Sequence, residues 1–111
     1  MKICLYSNEI EAHLSRFIGD YVGNICLAIV ASLKTTAPVQ TLRYEVSEES
    51  VRIELNRQPL PLNISSGFSE KIILSTIRGM LRHLKMADPG GDIRIEIDVA
   101  ASENAKIKAC D

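Results

Sequence analysis

The sequence predicts an α+β sandwich, an antiparallel sheet with both helices on one face. Three observations predict it. Two segments carry apolar residues at helical spacing, several shorter ones alternate apolar and polar residues with a period of two, and the second half echoes the first at an offset of 51 residues. Under that offset Leu33-Lys34 falls on Leu84-Lys85, Pro38 on Pro89, Arg43 on Arg94 and Glu45 on Glu96. Upstream, Phe17 falls on Phe68 and Val22 on Ile73.

The repeat resolves an ambiguity near the start of the chain. Ser7 could cap one very long helix, but the matching region of the second half holds Pro59 and Pro61, which deny it a helix. Residues 2–6 therefore read as a strand, Ser7-Asn8 as a turn and residues 9–12 as extended or irregular. The first helix is expected from near Ser15 to about Lys34, the second from Ser66 or Ser69, each able to cap it, to about Met86. Residues 39–46, 51–55 and 93–99 alternate as strands, and Ser47-Glu48-Glu49-Ser50 makes a hairpin loop that pairs Val46 with Val51. That register sets Glu45 across from Arg52 and Arg43 across from Glu54. Asp88-Pro89-Gly90-Gly91 reads as a turn.

The order is βαβ–βαβ with a small extra arm before each helix, and it resembles the ferredoxin-like sandwich of two tandem βαβ repeats. Residues 1–99 are expected to form a single α/β domain, with pseudo-repeats at about 1–46 and 51–97. Residues 100–111 lack periodicity and read as a flexible C-terminal tail. The offset also places Ala28 on Gly79. Two small mid-helix residues at equivalent positions suggest a close packing contact, which Gly79→Leu would overfill.

Composition excludes several function classes. A net charge of −1 from 13 basic and 14 acidic residues calls for neither nucleic acid nor a membrane surface. The longest apolar run, Ile25 to Ala31, is far short of the roughly 20 residues that span a bilayer. Tyr6 is the one aromatic expected on the sheet face away from the helices, too little for RNA recognition there. Cys4, Cys26 and Cys110 lack metal or redox spacing and read as small hydrophobes plus one tail thiol. The start of the chain shows no leader pattern, so a cytoplasmic location is expected.

Chemistry-bearing residues are few. His13 and His83 lack ligand spacing, and although a fold could bring Cys4 and His13 together, no oxyanion device is recognisable beside them. The Ser/Gly-rich segment 62–69 enters a helix, where caps account for its serines without a phosphate site. No catalytic, cofactor-binding or metal-ligating set is assigned, and no cofactor is expected. Arg78, Arg82 and Lys85 line one side of the second helix as a possible contact for an acidic partner. The first helix is apolar around more of its circumference than one sheet can bury, which nominates Ile18, Val22, Leu27 and Val30 as an interface. On that ground Leu27→Glu or Val30→Glu is expected to yield a folded monomer.

The leading expectation for function is a non-catalytic protein-interaction or assembly module, a homo-oligomer associating through apolar helix surface. An unidentified protein partner is also compatible. The alternative is a small-molecule-sensing module with its ligand at a subunit interface. The third reading is a small enzyme using Cys4 or a histidine.

Overall fold

The computed structural model describes residues 1–33, 38–48, 50–60, 68–82, 84 and 91–99. Its elements are β1 (Lys2–Ser7), β2 (Ile10–Ala12), α1 (Arg16–Ser32), β3 (Thr41–Ser47), β4 (Ser50–Leu55), β5 (Gln58–Pro59), α2 (Phe68–Leu81) and β6 (Ile93–Asp98). The six strands form one antiparallel sheet in the order β2-β1-β6-β3-β4-β5. Residues 100–111, expected as a tail, lie outside the described residues, as do most of the 88–91 turn and the C-terminal end expected for the second helix.

The α+β class and the two extra arms are as expected, but the strand order is not ferredoxin-like. That fold centres its sheet on the opening strands of the two βαβ units. Here the closing strands, β3 and β6, pair at the centre, with Arg43 opposite Glu96 and Glu45 opposite Arg94. The charge pattern fits this order. Arg43-Tyr44-Glu45, Arg52-Ile53-Glu54 and Arg94-Ile95-Glu96 are three Arg-x-Glu strands. With β3 in the middle, each of its charges meets an opposite charge on both sides. The opening strand β1 presents Lys2, Cys4 and Tyr6 on that face and could not complete the pattern.

The two halves close in the same way. Both arms are two-residue hairpins through a left-handed Asn: Asn8-Glu9 at φ 53° and 69°, Asn56-Arg57 at φ 52° and 68°. The Asn8 amide donates to the Asp92 carbonyl (2.8 Å) while its side-chain oxygen accepts from the Asp92 N–H (2.9 Å). Asn56 makes the same pair of bonds with Thr41, at 2.8 and 3.1 Å. Each arm is thereby tied to the start of a central strand.

The inward residues of every long strand join one core. Leu5, Leu42, Tyr44, Ile53, Ile77 and Ile95 are essentially inaccessible, and Val22, Cys26 and Val30 of α1 meet them from the helix layer. Full burial of such an aliphatic side chain contributes about 1.5–3 kcal/mol. Tyr44 brings a hydroxyl into this core and donates it to the Cys26 carbonyl at 2.6 Å, bonding β3 to α1. Glu70, in the first turn of α2, accepts the Val51 N–H at 2.9 Å and ties that helix to β4.

Close packing occurs at a different glycine from the one expected. A Cβ on Gly79 would meet nothing within 4 Å, and Ala28 is exposed, so neither marks a close approach. The tight position is Gly23, whose added Cβ would collide with the end of Ile3 on β1. Helix propensity is therefore unopposed at Gly79. Gly79→Ala should stabilise by up to about 1 kcal/mol in urea denaturation, and a loss of that size would restore the packing contact.

Candidate interaction surface

The surface that stands out belongs to α1. Ser15 caps it, its hydroxyl accepting the Ile18 N–H at 3.2 Å, and the helix runs through Ser32 with Arg16 and Asp20 as its only charged residues. Val22, Gly23, Cys26 and Val30 turn inward onto the sheet. At 3.6 residues per turn, Phe17, Tyr21, Asn24, Ala28 and Ala31 fall within about 80° on the opposite side. All five are exposed. Phe17 is 73% and Tyr21 49% accessible, and their rings stack with centroids 6.1 Å apart. Two aromatic rings this open on one helix are unusual unless something covers them.

The four residues nominated from sequence divide. Val22 and Val30 are wholly buried in the core, whereas Ile18 and Leu27 are half-buried and pack on its margin. Apolar residues on nearly every side of α1 hide the exposed stripe in the sequence. The usable signal was the alternating spacing of four and three from Phe17 through Ala31, uncharged throughout.

The basic residues of α2 do not form three solvated charges. The Arg78 guanidinium donates to the Glu48 carbonyl and, at 3.2 Å, to that of Gly91, joining α2 to the β3–β4 turn and to the entry of β6. Carbonyls at such turns lack ladder partners, and a charged donor is a strong one for them. Arg82 is exposed, and Lys85 lies outside the described residues.

The nucleophile and acid–base candidates do not assemble. Cys4 is disulfide-bonded rather than a thiol, contrary to expectation, and the β1–β2 ladder stops at Leu5↔Ala12, one step short of pairing it with exposed His13. Cys26 is a buried free cysteine whose thiol is pushed up to about 12 by burial, so it is inert at neutral pH. His83 and most of segment 62–69 lie outside the described residues. Among the described residues no group of three or more His, Cys, Asp or Glu could hold a metal. None of the described helices is long and apolar enough to cross a membrane.

The outer face of the sheet holds a shallow concavity of about 480 Å³ whose walls include Lys2, Arg43, Arg57, Glu54, Glu96 and Asp98. Charges across this face of the sheet answer one another, with Arg43 on Glu45 at 2.9 Å and on Glu96 at 3.9 Å, and Arg94 on Glu96 at 3.2 Å. Tyr6 is buried there, and the Arg94 guanidinium lies 4.2 Å above its ring, occupying the face that a base would stack on. The chain matches no protein family, no curated protein and no solved structure.

Proposed function

We propose that the chain is a non-catalytic assembly module that forms a homodimer through the solvent face of α1. The observation that carries this reading is the exposed, stacked Phe17–Tyr21 pair, set opposite the helix's core face. A dimer across it would bury four aromatic side chains, two from each copy, and aromatic residues of this kind dominate interface energetics. The lack of charge along the stripe lowers the desolvation cost of covering it. Its neighbours agree: half-buried Ile18, Ile25 and Leu27 would extend the apolar contact on either side.

We further read the two halves as copies of one βαβ unit. The 51-residue offset of helix and closing strand supports this, as do the equivalent Asn8 and Asn56 hairpins.

The test is a charge on the stripe. Phe17→Glu/Tyr21→Glu should leave circular dichroism unchanged, because neither ring supports the core, and should halve the mass measured by light scattering. A double variant that keeps the wild-type mass would overturn the reading.

A further inference from the structure

The α1 stripe is graded in size, and the grading fits one partner. Its N-terminal half presents two large rings, Phe17 and Tyr21, its centre a single amide, Asn24, and its C-terminal half two methyl groups, Ala28 and Ala31. We infer that α1 pairs with α1 of a second copy in antiparallel orientation about a twofold axis at Asn24. This inference rests on the dimer reading above and adds its geometry.

The alternatives fail on shape and charge. Parallel pairing would set rings against rings at one end and leave alanine against alanine, with a gap, at the other. It would also bring each Asp20 beside its counterpart. The antiparallel arrangement lays each Phe17 and Tyr21 over the small Ala28–Ala31 half of the partner, large on small at both ends. The two Asp20 residues then stand about 12 Å apart along the axis, at 1.5 Å per residue, and the helix dipoles oppose. Asn24 faces its own copy, and a carboxamide, being donor and acceptor at once, can bond to its twofold mate. A surface complementary to itself in this way makes a closed, isologous contact.

Single cysteines test the geometry while keeping both rings. In Asn24→Cys the new sulfurs lie near the axis, within the roughly 4.4–6.8 Å Cα separation that a disulfide spans. In Ala31→Cys they lie about 21 Å apart. Under mild oxidation, with the wild type as baseline, Asn24→Cys should run as a covalent dimer on a non-reducing gel and Ala31→Cys as a monomer. Covalent dimers from Ala31→Cys would overturn the antiparallel geometry and leave the α1 dimer standing. A dimeric mass in light scattering with no cross-linking at either position would overturn the α1 interface altogether. A monomeric mass for the wild type would overturn the dimer reading itself.

Discussion

Raising the pH from 8 to 11 should destabilise the folded chain by about 4 kcal/mol. Cys26 and Tyr44 are both buried, and burial raises the pKa of each: the thiol from an ordinary 9.0 to about 12, the phenol upward from 10.0 with the neighbouring Cys26 adding to the shift. Both groups stay protonated in the fold and ionise once the chain unfolds. Their contribution is complete below the unfolded values and is lost as pH climbs toward the folded ones. At pH 11 the thiol accounts for about 3 kcal/mol and the phenol for about 1 kcal/mol. Urea denaturation at pH 8, 9.5 and 11 should show the midpoint falling, steeply above pH 10. Cys26→Ala should delay the decline until pH 10, because only the phenol then remains. A midpoint that stays level to pH 11 would show that these groups are not sealed from water.

Val30→Glu should abolish the fold. Val30 has no accessible surface, and among the described residues it lies within the apolar cluster of α1 and the sheet. A carboxylate placed there is either ionised without a partner or forced to protonate, and either course costs more than about 4 kcal/mol, much of a small domain's stability. The expected result is loss of the cooperative unfolding transition and of helical dichroism at neutral pH. This reverses the folded monomer expected from sequence, because the residue points inward. The contrast with Phe17→Glu, a charge of the same kind thirteen positions earlier on the same helix, separates core face from contact face. A folded Val30→Glu variant would mean that α1 is rotated relative to the sheet.

Local features were legible where short-range chemistry decides them. Ser15 marked the start of α1, and the turn at residues 47–50 announced the β3–β4 register that sets Glu45 opposite Arg52 and Arg43 opposite Glu54, which the ladder extends to Ser47↔Ser50. Pairing between distant strands was harder, because alternation is the same whichever neighbour a strand takes. The Arg-x-Glu triplet of β6 held the answer: Arg94 and Glu96 complement β3 as well as Arg52 and Glu54 do. The disulfide at Cys4 had no local signature, since a bridge depends on where the fold brings the sulfur. In α1 the density of apolar residues was plain, but which of them faced the sheet was not. Val22 and Val30 lie on one side and Phe17 and Tyr21 on the other, and composition treats them alike.

The claim that α1 makes this chain a dimer is tested most directly by sedimentation equilibrium of the wild-type protein over a wide concentration range. The account predicts a weight-average mass that rises with concentration to a plateau at twice the 12.3 kDa of one chain. A mass of 12.3 kDa at every concentration would contradict it.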